Sequence, residues 1–160
     1  LLPPQSILRW RWQLGRGLPS SDLQRKDGDD TPIKVCALFD MALTGMSLGE
    51  QTRLRMARAV SGEPLPAATL CYVWDRQLPE GRVQPNVFSP RVRYLVVRQG
   101  PAEPGVWHRV ERPLAQDFLQ AFGDESSVVP PLMALAVGAD ADNTGGHSLA
   151  WVGDIQLTAP

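Results

Sequence analysis

Residues 137–157 read VGADADNTGGHSLAWVGDIQL, a loop that crowds carboxylates, an amide, a hydroxyl and glycines together and then runs into an alternating stretch. Asp140, Asp142, Asn143 and Thr144 supply side-chain oxygens along the loop, and Asp154 follows in the stretch behind it. Oxygen donors on flexible backbone suit a hard cation such as Ca2+, which takes about six to eight of them at adaptable geometry. Asp29 and Asp30 in KDGDD, together with Asp40, would complete such a cage from the other end of the chain. The pattern is not an EF-hand loop, because the central glycine spacing and the closing glutamate are missing. Asp and Asn also shape ordinary turns by bonding their own backbone, so a cation cage and a tight turn are the two readings of this loop.

Aromatic side chains supply the second chemistry. Five tryptophans are generous for 160 residues, and the flat face of a sugar stacks on such rings as other apolar groups do. Trp10, Trp12 and Trp151 fall on apolar faces and are expected in the core. Trp107 shares a face with Arg109 and Glu111 and is expected at the surface. Trp107, Arg109, Trp74 and Asp75 are therefore the candidate ligand-binding residues. Catalysis has thin support. Ser148 stands beside His147, but no glycine-flanked nucleophile turn surrounds it, and a pair of aspartates would need a separation that sequence does not supply. With only His108 and His147 and no clustered cysteine, zinc has almost no ligands to draw on.

The elements that must position these groups are mostly strands. In residues 7–14, Leu8, Trp10, Trp12 and Leu14 alternate with Arg9, Arg11 and Gln13, the period of a half-buried strand. Further strands are expected over 33–40, 68–75, 91–98, 106–112, 132–140 and 149–157, rich in β-branched and aromatic residues. In the last of them Leu149, Trp151, Ile155 and Leu157 read as the buried side, with Trp12, Trp151, Phe39, Tyr72 and Ile155 as core. Helical spacing occurs twice. Leu54, Ala57 and Val60 lie within 48–62, and Leu114, Phe118 and Phe122 recur after Pro113 with Gly123 closing the turn. Seven short strands without a βαβ rhythm predict an all-β, antiparallel, jelly-roll-like sandwich with short helices in its connections.

Composition bounds the partners. The length suits one domain over 1–160 with a core of its own. No apolar run approaches the ~18 residues of a membrane span. A formal charge of -1 argues against an electrostatic grip on nucleic acid. Cys36 and Cys71 sit inside strand-like runs, as buried free thiols or as a bridge between neighbouring strands.

Several stretches together carry a resemblance: WRWQL at 10–14, KDGDD and VCALFD within 26–40, LCYVWD at 70–75, VVRQGPAEPGVWHRVER at 96–112, DFLQAFG at 117–123 and DADNTGGHSLAWVGDI at 140–155. With these the chain resembles the bacterial family catalogued as domain of unknown function 3047. The resemblance implies an exported, periplasmic or secreted protein without an assigned reaction, and further sequence ahead of the WRW strand. A weaker likeness is to jelly-roll carbohydrate-binding modules, whose closing strand often ends like WVGDIQL with its Asp on a structural calcium. The expected function is non-catalytic binding of a glycan or another cell-envelope component. The alternatives are a hydrolase of such a polymer working through paired aspartates, and a structural or assembly module.

Overall fold

The computed structural model describes residues 2–159. In chain order its elements are β1 (Ile7–Arg16), β2 (Lys34–Phe39), a short 3-10 turn (Leu43–Gly45), α1 (Leu48–Ser61), β3 (Ala68–Asp75), β4 (Val83–Pro85), β5 (Val92–Gln99), β6 (His108–Pro113), α2 (Leu114–Phe122), β7 (Leu132–Gly138) and β8 (Leu149–Thr158). The strands form two sheets, one ordered β6-β1-β8 and the other β4-β5-β3-β2-β7. Every pairing is antiparallel except β3 with β5. The expected β-sandwich with short helices is thus what the chain forms, with three strands facing five.

Alternation decides how the sheets meet. β1 buries Leu8, Trp10, Trp12 and Leu14, and these join Val35, Ala37, Phe39, Leu70, Tyr72 and Trp74 of the larger sheet in one core. Trp10 packs on Tyr72 with ring centroids 5.1 Å apart, and Trp12 on Trp74 at 6.1 Å. Such aromatic contacts add about 0.5–1.5 kcal/mol each beyond the area they bury. α2 closes one end of this core through Leu114, Phe118 and Phe122, with Phe118 lying 4.7 Å from Phe39. Among these apolar groups Asp117 is buried as well. It accepts from the Tyr72 hydroxyl at 2.9 Å and from Arg112 Nε and Nη2 at 2.9 and 2.7 Å.

The larger sheet is covered on its other face too. Cys36, Cys71, Val73, Tyr94 and Val96 pack there with Leu23 from the β1–β2 connection. Burial on both sides explains why β2 and β3 read as near-continuous apolar runs. Cys36 stands directly opposite Cys71 across β2 and β3, and the two form a disulfide, which decides between the two readings of the cysteines.

α1 sits on the surface of the sandwich. Ser47 and Glu50 form a capping box at its start, and Gly62 takes the left-handed conformation at its end. None of its residues is buried. On the side toward the body Leu54 packs against the core, Glu50 lies 3.4 Å from Arg91, and Arg58 donates to the Leu65 carbonyl. Leu48, Met56 and Val60 face outward.

The last strand departs from expectation. Before residue 153 its inner residues are Ala150 and Val152, which pair with Leu14 and Trp12 and pack on the core. Trp151, opposite Gln13, points outward and is 43% exposed, and Leu149 is exposed with it. The cause is a bulge: Arg11 pairs with Gly153 and Arg9 with Gln156, so β8 places one extra residue opposite Trp10. Asp154 takes that bend at φ 56, a left-handed conformation that Asp tolerates better than most residues. The inward–outward sense reverses there. Ile155, expected in the core, is exposed, and so is Leu157 although it lies opposite Leu8. Trp12, Phe39 and Tyr72 are buried as expected.

Candidate functional site

The acidic loop and the KDGDD segment do meet, and they meet as a clasp. Asp30 accepts from the backbone N–H groups of Asn143 and Thr144 at 3.2 and 2.7 Å and from the Asn143 amide at 3.2 Å. The Asn143 amide also donates to the Asp29 carbonyl at 3.1 Å. Asp140 answers from the other side. Its Oδ1 accepts from the backbone N–H and hydroxyl of Thr31 at 2.6 and 2.7 Å, and its Oδ2 from Lys34 Nζ at 2.6 Å. Asp29 accepts from the Asn86 amide, which also reaches the Tyr94 hydroxyl.

These contacts set the charges. Burial works to raise the Asp30 carboxyl, but the Thr144 and Asn143 donors outweigh it and hold the group below its ordinary range. Asp29 goes the other way, because burial dominates and the Asp140 charge adds to it. The eight-ligand expectation therefore divides. Asp29, Asp30, Asp140, Asn143 and Thr144 come together, whereas Asp142 is exposed, Asp40 is 3.4 Å from Arg58, and Asp154 lies 2.7 Å from Arg11 on a different face. Among the described residues no three Asp, Glu, His or Cys side chains converge as metal ligands. The oxygens expected around a cation are turned onto N–H, hydroxyl and ammonium groups of the protein itself.

The ligand-binding residues also divide. Trp74 is buried in the core and donates its indole N–H to the Gly100 carbonyl at 3.1 Å. Asp75 is buried and accepts from the backbone N–H groups of Gln77 and Leu78. Both are thus buried and bonded to the protein's own backbone, with Trp74 also lining a cavity of about 390 Å³ beside Leu14, Leu18 and Arg76. Trp107 and Arg109 are at the surface as expected.

They belong to a site that the sequence pattern only half revealed, the outer face of the three-stranded sheet. There Gln13 of β1 pairs with Trp151 on β8. On the other side Trp107 stands just before β6, next in line after the His108–Trp12 pair. Both tryptophans therefore stand on the outer face of this sheet, Trp151 against Gly15 of β1. Arg11 lies two pairs further along, its guanidinium 4.7 Å from the centroid of Trp107 and its Nε 2.7 Å from Asp154. Arg9 grips Glu111 through two bonds of 2.9 Å. A groove of about 400 Å³ runs beside this row, lined among others by Arg9, Arg11, Arg109, Glu111, Asp154 and Gln156. Sequence reasoning missed Gln13, Arg11 and Trp151 here. The polar side of β1 was legible as a face, but the tryptophan of β8 was assigned to the opposite one.

Fold and site together define a disulfide-bonded β-sandwich whose smaller sheet displays an aromatic and arginine-rich face. The chain belongs to the family described as Protein of unknown function (DUF3047), whose profile matches residues 2–156. No curated protein and no solved structure matches it. No helix among the described residues is long and apolar enough to cross a membrane.

Proposed function

We propose that this chain is a non-catalytic glycan-binding domain of the bacterial cell envelope, and that sugar rings stack on the outer face of the three-stranded sheet. The observation that carries this reading is the placement of Trp107 and Trp151, 42% and 43% exposed, on the outer face of one sheet, against Arg11 and Gly15 of β1. Both residues keep apolar ring surface open to water beyond these contacts, and a pyranose ring covers such a surface well. Gln13, Gln156 and the arginines offer donors and acceptors for hydroxyl groups around the rings. The carboxylates that a hydrolase would need are committed elsewhere, Asp140 to Thr31 and Lys34 and Asp154 to Arg11. The Cys36–Cys71 disulfide supports an oxidising compartment outside the cytosol.

Calorimetry against a panel of cell-wall and exopolysaccharide fragments tests the reading. Binding that is lost in Trp107→Ala and Trp151→Ala, with the unfolding midpoint of each variant nearly unchanged, is the expected result. A panel that gives no heat with the wild-type chain sinks the proposal.

A further inference from the structure

Charge on the same face is unbalanced in a way that names the ligand's chemistry. Arg9 is neutralised by Glu111 and Arg11 by Asp154. Arg109 lies on the outward side of β6 directly opposite Arg11, and among the described residues its guanidinium has no hydrogen-bond or ion-pair partner. With Arg9 and Arg11 matched by carboxylates, Arg109 leaves this face with one positive charge that no acidic side chain among the described residues answers. Arg109 is also two positions from Trp107 along the same side of the strand, and it lines the groove that runs beside the aromatic row.

We infer that the glycan held here is acidic, with a sugar carboxylate seated on Arg109 while neighbouring rings stack on Trp107 and Trp151. This rests on the glycan reading above and specifies its substrate class. A planar guanidinium meets a carboxylate through two parallel N–H donors, which fixes position as well as charge. The anion supplies the carboxylate that Arg109 lacks on this face. Neutral sugars satisfy the tryptophans and leave that charge unanswered. Discrimination between acidic and neutral chains is therefore assigned to one side chain, and stacking to two others.

The experiment compares oligouronates, oligogalacturonate and oligomannuronate among them, with their carboxyl-reduced counterparts of equal length, by calorimetry at low and high salt. Acidic chains are expected to bind at least about tenfold more tightly, the span of a single charge-assisted hydrogen bond or more. That preference should shrink as salt shortens the screening length. Arg109→Gln, at an exposed position where the fold is not at stake, should bind both series equally, whereas Trp151→Ala should lose both. Equal binding of acidic and reduced chains by the wild type overturns this inference and leaves the glycan reading standing. An acidic preference that survives in Arg109→Gln overturns the assignment to Arg109. If neither series binds at all, the glycan reading falls and the inference with it.

Discussion

The indole of Trp151 lies across Gly15 of the neighbouring strand, so close that a Cβ at position 15 would sit 2.8 Å from Cζ3 and 3.2 Å from Cη2 of the ring. The glycine is a seat for the tryptophan: with no side chain there, the ring packs close to the β1 backbone while the residue stays 43% exposed. Gly15→Ala should lift the ring off its seat. Because the clashing atoms are the far end of a side chain at the surface, the stability cost should be within about 1 kcal/mol. Glycan binding should fall clearly. Urea unfolding and calorimetry on the same variant separate the two effects, and unchanged affinity would show that the tilt of Trp151 does not matter.

The clasp between Asp30 and the 140–144 loop predicts an acid limb in stability. A carboxyl held below its ordinary value in the folded chain contributes stability above its unfolded pKa and loses it as pH falls through the folded one. The wild-type urea midpoint should therefore drop below about pH 4, and Asp30→Asn should show a flatter limb together with a loss of about 1–3 kcal/mol at neutral pH. Asp29 has the opposite sign: its raised carboxyl costs stability as it ionises, so Asp29→Asn should be no less stable than wild type at pH 7. Since protein donors already engage Asp30 and Asp140, the melting temperature should be the same in millimolar calcium and in excess chelator. A rise of several degrees with calcium would restore the cation cage.

Asp117 predicts a larger loss from a single site. It is buried in α2 and takes donors from Tyr72 and Arg112, while burial and the Asp117 charge push the Tyr72 hydroxyl far above its usual range and keep it a donor. Asp117→Ala strands a hydroxyl and a guanidinium without their acceptor and should cost about 3–5 kcal/mol. Tyr72→Phe should cost about 1 kcal/mol by itself. Combining the two should cost less than their sum, since they remove parts of one network. Strict additivity in urea unfolding would mean that the groups act independently.

What sequence could reveal follows from how local each signal is. β1, β3 and α2 were legible because Leu8, Trp10, Trp12 and Leu14 alternate, because 68–75 is rich in β-branched and aromatic residues, and because Leu114, Phe118 and Phe122 recur at one helical period. β4 escaped since three residues carry no period. The parallel partnership of β3 and β5 escaped because the choice of neighbour is made by long connections and not by either strand. At the site, Trp107 and Arg109 were legible from their polar neighbours. Trp74 and Asp75 were not, since a strand covered on both faces looks the same from inside and outside. The partners of Asp140, Thr31 and Lys34, stand over a hundred positions away, and only folding brings them within reach.

The bulge at Asp154 makes β8 a strand written in two phases. Up to Gly153 the odd-numbered residues face outward, and from Asp154 onward the even-numbered ones do. The outer surface thereby collects Trp151, Asp154 and Gln156, which no uninterrupted strand could show on one side. Removing one residue at the bend would merge the phases: whichever half of β8 kept its pairing with β1, the other would be turned over, carrying either the tryptophan or the carboxylate into the interior. The aromatic seat and the salt link to Arg11 are thus held on the same surface by a single inserted position, and the length of the strand matters to the face as much as its composition does.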